Sequence, residues 1–176
     1  MSDVAREAGV AVQTVYFIFH TKAELLSHAY DLAVLGEDDP RRPEEQPWYA
    51  AMAAEPNVGS ALRHAVDGIG VILGRATPLD TLIRASAGSD PESSRVRALH
   101  ERWRAEGYRS ILDILTAKAP IRDGVTPNRA TQLLLLYIGM DVYRVLVLDF
   151  GWTQEEWIAW TVATLREHLF ATTEAD

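Results

Sequence analysis

The stretch that decides the fold is residues 2–26, SDVAREAGVAVQTVYFIFHTKAELL. Two short segments with apolar residues at helical spacing lie on either side of Gly9, and a third segment begins at Thr21. Three short helices in so few residues are the arrangement of a helix-turn-helix followed by a connecting helix. We therefore expect a small helical head at the start of the chain.

The first segment carries small apolar residues on one side. Val4, Ala5 and Ala8 lie on one helical face, which we expect to be buried. Gly9 can adopt a positive φ angle, which predicts a sharp turn there. Val10 is then expected to pack back under the turn.

The second segment is predicted to form a helix from about Val12 to Ile18. This helix would bury Val15 and Phe19. Its outer face would carry the side chains that can contact nucleic acid, which are Gln13, Thr14, Tyr16 and Phe17.

A capping box predicts the start of the third helix. Thr21 would accept a hydrogen bond from the amide of Glu24, and the Glu24 side chain would return the bond. The helix should run from Lys22 to about Leu35 and end at Gly36. Its inner side is predicted to consist of Leu25, Leu26, Ala29, Leu32 and Ala33.

The pattern of this stretch includes the Val-Ala-Arg-Glu-Ala-Gly-Val run at 4–10, Thr14-Val15-Tyr16, Phe19, Lys22 and Leu25. It resembles the helix-turn-helix of the TetR family of bacterial transcriptional regulators. By matching position, the resemblance implies that Thr14, Tyr16 and Lys22 hold DNA phosphates. The chemistry agrees, because a hydroxyl, a phenol and an ammonium can each donate a hydrogen bond to a phosphate.

The start of the second helix would face base edges under the same resemblance. Gln13 could pair bidentately with an adenine, and Val12 could touch a thymine methyl. Phe17 is the third residue expected on this side. The resemblance therefore implies a double-stranded DNA operator as a partner.

Three features depart from the family pattern. Ala11 stands where the family commonly has Ser or Thr, so a helix cap and a phosphate contact are missing. Ile18 stands where His or Tyr is common, although His20, a further phosphate donor, lies two residues on. The family also has a first helix before this run, whereas this sequence begins at Met1. Met1 is then a misassigned start, an internal methionine of a longer protein, or the start of a truncated one.

Composition bounds the class of protein. The chain has 176 residues, of which 48% are hydrophobic, which is enough for a small head and one ordinary domain. Cysteine is absent, which excludes disulfides, zinc-thiolate sites and cysteine catalysis and is compatible with a cytoplasmic protein. The N-terminus is not basic and has no apolar run after it, so we expect no signal peptide.

The net charge of −8 is unusual for a protein that binds a polyanion. Even the head has no basic excess, since residues 1–30 carry two cations against three carboxylates, namely Arg6 and Lys22 against Asp3, Glu7 and Glu24. An acidic body held away from DNA would be compatible with binding by the head. The charge alone leaves both outcomes open.

Residues 36–58 are predicted to connect the head, residues 1–35, to a C-terminal domain, residues 59–176. The segment is rich in proline and charge and is not expected to pack. Trp48 would either pin it to the body or remain an exposed loop aromatic.

The body is predicted to be an antiparallel helical bundle, which makes the chain all-α. Glycines at 68, 70 and 74 thin the first body helix, either for close helix packing or to leave space for a ligand. The predicted helices span residues 59–75, 78–87, 91–119, 127–150 and 154–170, most of them opened by a capping residue and proline.

The helix at 127–150 is apolar around nearly its whole circumference. Only a helix buried on all sides tolerates this pattern, and a second subunit would supply the cover. It also carries Asp141, Arg144 and Asp149, which argue against a membrane span. The TetR resemblance likewise implies a homodimer through the helices at 127–150 and 153–170, which would place two heads on a palindromic operator. A monomer with a well-filled core is the alternative.

The resemblance implies a small-molecule effector bound inside the body. Candidate pocket residues combine apolar bulk with polar tips; they are Trp103, Tyr108, Tyr137, Met140, Asp141 and Tyr143. Core or interface positions are the competing interpretation for each, and Asp141 is expected to pair with Arg144 on its own helix or across the dimer. His64, His100 and His168 have no ligand-like spacing, so neither a metal nor another cofactor is expected.

No phosphate loop, nucleophile elbow or carboxylate-histidine pattern is present, so we expect no enzyme. The resemblance implies a repressor that a small-molecule effector releases from DNA. The alternative is a dimeric ligand-binding or adaptor protein that has lost DNA binding.

Overall fold

The computed structural model describes residues 1–36, 40–88 and 90–171. The chain is all-α, as predicted, and the described residues contain no strand beyond an isolated bridge between Ile121 and Phe170. A 3-10 turn at Pro43–Glu45 and a π-helical turn at Arg144–Asp149 join α-helices that we number α1 (Ser2–Glu7), α2 (Val12–Ile18), α3 (Lys22–Leu35), α4 (Pro47–Ala54), α5 (Val58–Ala87), α6 (Pro91–Thr116), α7 (Pro127–Tyr137), α8 (Met140–Tyr143) and α9 (Gln154–Leu169).

Helix α5 is the centre of the core. Helices α3, α4, α6, α8 and α9 all pack against it. Its apolar side chains recur three and four residues apart, which is the spacing of one helical face. Fully buried large side chains come from α4, α5, α6, α7 and α9, and include Met52, Leu62, Leu73, Ile83, Leu112, Leu134 and Trp157.

The head follows the predicted boundaries but buries less than expected. Gly9 turns at φ 66°, as predicted, and Ala5 and Val15 are buried. The expectation that the rest of the α1 face is covered is wrong, because Val4 and Val10 are exposed, as is the small Ala8. Two helices of six and seven residues that pack on each other bury only one residue each, Ala5 and Val15. The head therefore leaves part of its apolar surface open.

Helix α3 begins and ends at the predicted residues. Thr21 accepts from the Glu24 amide at 3.0 Å, but the Glu24 carboxylate accepts from the amide of His20 and not from that of Thr21, so the predicted box is only half formed. Gly36 ends the helix at φ 99°. The predicted inner side is also partly wrong: Leu32 is exposed, Leu25, Leu26 and Ala29 are half-buried, and the buried residues are Ala23, Tyr30 and Ala33.

The segment predicted as an unpacked connection contains a packed helix. Residues 47–54 form α4, whose Met52 is fully buried against α5. Pro47 sits at the first position of α4, where its missing N–H costs nothing. The prolines of this segment therefore do not prevent a packed helix, although their number led to the prediction of an unpacked connection. Residues 37–39 of the predicted connection and 172–176 of the predicted C-terminal domain lie outside the described residues.

Helix α5 continues through Pro78, so the predicted break at Thr77-Pro78 is wrong. An internal proline costs a helix roughly 3 kcal/mol. Burial on both sides of it offsets that cost, because Ala76 and Ile83 are buried in the core. The hydroxyl of Thr81 also donates to the carbonyl of Thr77 at 3.0 Å.

Two glycines let aromatic rings approach the α5 backbone. A Cβ atom on Gly68 would lie 2.1 Å from Cγ of Trp48, and one on Gly70 would lie 2.9 Å from Cζ3 of Trp157. Trp48 thereby attaches α4 to the body, and its indole N–H donates to Gln46. Of the two interpretations of these glycines, close packing is the one that the structure supports at positions 68 and 70.

The predicted single helix at 127–150 is interrupted. It ends at Tyr137, resumes at Met140 and continues as a π-helical turn to Asp149 before Gly151. The interruption lies at Gly139, where a Cβ atom would be 2.4 Å from the carbonyl oxygen of Leu135. Among the described residues, Pro127–Asp149 is the one helical stretch that is long and apolar enough to cross a membrane. Core helices of other proteins can meet the same criterion of length and composition. In this protein, 33% of the most apolar part of the stretch is buried.

The remaining helix starts agree with the capping signals. Asp90 accepts from the amides of Glu92 and Ser93 at the start of α6. Thr153 and Glu156 form both halves of the predicted capping box at the start of α9. Helix α6 ends at Thr116, three residues before the predicted end at Ala119.

His100 lies at the junction of α3 and α6. Its ring is buried and stacks on Tyr30 at a centroid distance of 4.3 Å, and its Nε2 lies 3.3 Å from Oδ1 of Asp31. Burial lowers the pKa of His100, although the negative charge of Asp31 acts in the opposite direction. A neutral imidazole therefore forms part of the contact between the body and α3, which we call the head-bearing helix because it follows α1 and α2.

We predict that Gly68→Ala lowers the free energy of unfolding by about 2 kcal/mol, because the methyl group displaces the Trp48 ring. Gly107→Ala is the matched control: Gly107 lies in α6, and a Cβ atom added there would have no atom within 4 Å, so alanine should stabilise the protein by up to about 1 kcal/mol. Urea unfolding measures both. Equal effects of the two variants, or an undiminished Gly68→Ala effect in a Trp48→Ala background, would contradict the packing.

We predict that acidification destabilises the protein through His100. The folded pKa is lowered, so stability is lost as the pH falls from the unfolded value of about 6.5 towards the folded one. The acidic groups acting on the imidazole are Asp31 on α3, Asp80 on α5 and Glu101 on α6. Unfolding free energies measured between about pH 7.5 and 5 should depend less on pH in His100→Gln than in wild type. His64→Gln, at an exposed position of α5, should keep the wild-type slope, and an unchanged slope in His100→Gln would refute the assignment.

Candidate nucleic-acid interface

The surface formed by α2 and the start of α3 contains all the residues predicted to contact DNA. Val12, at the first position of α2, is half-buried. The others are exposed, which leaves them accessible to a partner; they are Gln13, Thr14, Tyr16, Phe17, His20 and Lys22. We call this set, together with Val12, the head surface.

Helical spacing brings members of the head surface together. Gln13, Tyr16 and Phe17 lie three and four residues apart on α2 and share one side. Phe17 is 84% exposed, an unusual state for a phenylalanine in a folded chain. His20 follows the end of α2, with its Nδ1 3.3 Å from the carbonyl oxygen of Tyr16. The head surface is therefore a mixture of aromatic rings and hydrogen-bonding groups.

The first turn of α2 lacks a side-chain cap. Ala11 occupies the N-cap position in an extended conformation and accepts through its backbone carbonyl only. This agrees with the departure from the family pattern at Ala11. The helix is held instead by its packing through Val15, which is buried.

Charge is nearly balanced around the head surface. Arg6 pairs with Asp3 at 2.8 Å on α1, so that cation is partly neutralised. Lys22 is exposed at the first position of α3. Across from it, the Thr21 hydroxyl donates to Oε1 of Glu92 at 3.1 Å, so a carboxylate from α6 lies beside the start of α3. Sequence reasoning missed Glu92, because this contact joins residues far apart in the chain.

The predicted pocket residues occupy different environments. Tyr108, Met140 and Tyr143 are buried, Tyr137 is half-buried, and Trp103 and Asp141 are exposed. The Tyr108 hydroxyl donates to the carbonyl of Ile138, and burial raises the pKa of Tyr108, so the phenol is neutral. The ring of Tyr143 packs edge-on against Trp157 at 5.0 Å. Tyr137 packs against Trp160 and His168.

Met140 contacts a residue that sequence reasoning missed. Its sulfur accepts from the hydroxyl of Tyr30 on α3 at 3.7 Å. Burial raises the pKa of Tyr30, which keeps this donor protonated. The only sequence signal was the apolar spacing shared by Ala23, Tyr30 and Ala33. Tyr30 therefore ties the head-bearing helix to α8.

Asp141 and Arg144 do not pair with each other within the chain. Asp141 binds Arg84 of α5 at 3.0 Å, and Arg144 pairs with Asp149. The expected pairing within one helix is therefore wrong, since α8 packs on α5 and Arg84 of α5 lies within reach of Asp141. Arg84 also binds Asp80, so the cluster joins α5 to α8.

Some buried polar atoms have no hydrogen-bond partner within the described chain. They include Oγ1 of Thr77, Nε1 of Trp157 and Oγ1 of Thr161. Trp157 contacts Tyr143, one of the predicted pocket residues. A buried polar group without a partner costs roughly 1–3 kcal/mol. No pattern in the sequence indicated these atoms.

Among the described residues, no cluster of three or more histidine or acidic side chains is arranged to hold a metal ion. No protein-family model matches the sequence, and no curated protein matches it.

Proposed function

We propose that the protein is a TetR-like transcriptional regulator, a cytoplasmic repressor that binds a palindromic operator as a dimer and is released by a small-molecule effector. The observation that carries the proposal is the head surface. Hydrogen-bonding and aromatic side chains on α2 are exposed beside Lys22 at the start of α3. A helix fits into the major groove of DNA, and the side chains of this surface include donors for hydrogen bonds to base edges and phosphates.

The TetR resemblance implies the role of each residue of the head surface, and the chemistry of the side chains agrees with it. Thr14, Tyr16 and Lys22 donate to phosphate oxygens. Gln13 reads an adenine through its amide, and Val12 contacts a thymine methyl. Phe17 and His20 lie beside them, where an apolar ring and an imidazole add contacts to the duplex.

Exposed apolar residues on α7 and the following turn support the homodimer. Leu136, Leu148 and Phe150 are exposed, and their neighbours Val145 and Val147 are only half-buried. Covering these side chains with the same surface of a second copy would remove them from water. The two heads would then be related by a two-fold axis, as a palindromic operator requires.

The effector is proposed to bind inside the body beside Tyr143 and Trp157. The indole N–H of Trp157 is buried and unpaired within the described chain, so it would donate to an acceptor on the ligand. The contact between Tyr30 and Met140 would then connect the body to the head-bearing helix.

The alternative function is a dimeric ligand-binding or adaptor protein that does not bind DNA. The low positive charge of the head favours it, because Arg6 is paired with Asp3 and phosphate contacts supply most non-specific affinity. Titration of the protein with DNA from its own promoter region at low salt separates the two: a salt-dependent shift supports the regulator, and no binding supports the adaptor.

We predict that Lys22→Ala weakens DNA binding and reduces the slope of log affinity against log salt by about 0.9, the loss of one phosphate contact. Arg109→Ala, which removes an exposed cation far along α6, is the control and should leave the slope unchanged. Fluorescence anisotropy with promoter DNA at several salt concentrations measures both. Equal slopes for Lys22→Ala and wild type would exclude Lys22 from the interface.

We predict that Leu148→Arg converts the dimer to a monomer, because it places a charge in the proposed apolar interface. Val71→Arg is the control: Val71 on α5 is 49% exposed, against 50% for Leu148, but lies outside that interface. Light scattering coupled to size-exclusion chromatography measures the mass of each variant. A monomeric wild type, or dissociation by Val71→Arg instead, would contradict the proposed interface.

A further inference from the structure

The N-terminus of α6 lies against the N-terminus of α3. Thr21, the residue that caps α3, donates its hydroxyl proton to Glu92 on the first turn of α6 at 3.1 Å. Asp90, the cap of α6, accepts from the Ser93 hydroxyl and from backbone amides, and these bonds together with the charge of Lys22 lower its pKa. Two carboxylates of α6 therefore lie beside the helix start that carries Lys22.

The start of α3 is also the place where the head would meet a phosphate. Unpaired amides and the helix dipole attract an anion there, and Lys22 adds a full positive charge. The Glu92 carboxylate already supplies an anion at this position. A carboxylate and a DNA phosphate close together repel each other, since the screening length is about 10 Å at 0.1 M salt.

We propose that Glu92 is an autoinhibitory contact whose carboxylate competes with a DNA phosphate for the Thr21–Lys22 start of α3. The inference rests on the proposed DNA-binding function and assigns a regulatory residue to the same surface. With Glu92 on Thr21, affinity for DNA is reduced. A displacement of α6 that withdraws Glu92 increases it.

Helix α6 is suited to carry such a displacement. It spans 26 residues, or about 39 Å, from the head to the body. In the body, Tyr108 of α6 donates to the carbonyl of Ile138, next to the break in the α7–α8 region. An effector bound beside this end of α6 that holds Glu92 on Thr21 would keep the affinity for DNA low, in agreement with the proposed release by the effector.

The test uses a substitution that changes charge and little else. Glu92→Gln keeps an oxygen that accepts from the Thr21 hydroxyl but removes the negative charge. Glu106→Gln is the matched control, because it makes the same charge change at an exposed site of α6 about 21 Å further along the helix. Asp90→Asn is a second variant, in which asparagine still caps α6 while a neighbouring charge is lost.

Binding is measured by fluorescence anisotropy with a random-sequence duplex of about 40 base pairs at low salt, because phosphate contacts do not depend on sequence. Circular dichroism checks that each variant is folded. We expect Glu92→Gln to bind roughly 3- to 10-fold more tightly than wild type, with a gain that shrinks as salt is raised. Asp90→Asn should change affinity in the same direction and Glu106→Gln by less than about twofold.

Two results would overturn the inference, and they are distinguishable. If wild type binds but Glu92→Gln binds no better than Glu106→Gln, the autoinhibitory role is excluded and the proposed function stands. If neither wild type nor any variant binds the duplex at low salt, both the inference and the DNA-binding function fail.

Discussion

The close approach of two tryptophans to α5 is the constraint on which the rest of the fold depends. Trp48 contacts the backbone at Gly68, and Trp157 contacts it at Gly70. The first contact attaches α4, and the second attaches α9, whose Trp157 also supports Tyr143 of α8. Only glycine leaves room for these rings. Gly68 and Gly70, which lie within one turn of α5, therefore determine where α4, α8 and α9 pack around the central helix.

Helix α3 is joined to the body by apolar packing on α5 and by polar and ring contacts with α6 and α8. Helix α3 reaches the body through Tyr30, which binds Met140 and stacks on His100. Its start is held by Glu92 of α6. These groups connect α3 to α6 and α8, and under the proposed function they would carry a change in the body to the head surface.

The sequence predicted the local features well, because caps and turns depend on neighbouring residues. The starts of α2, α3, α6 and α9 and the turn at Gly9 were confirmed. The failures concern tertiary packing: α4 inside the supposed connection, the continuation of α5 through Pro78, and the break at Gly139. In each case, the local conformation depends on packing against residues from a distant part of the chain. The pattern of neighbouring residues in the sequence carries no information about that packing.

The candidate site shows the same division. The exposure of Gln13 and Tyr16 followed from helical spacing, and the position of Lys22 followed from the cap at Thr21. Glu92 and Tyr30 reach their contacts from distant parts of the chain. Pairing of Asp141 with Arg84 was missed for the same reason. The assignment of DNA binding itself rests on the resemblance and on the exposed head surface.

Hydrogen–deuterium exchange with and without promoter DNA tests the central claim most directly, because it locates the contact surface on the protein. We expect slower amide exchange across residues 12–22 when DNA is added, with no comparable protection in α5. DNA binding that leaves exchange across residues 12–22 unchanged, or protects another surface instead, would contradict the proposed role of the head surface.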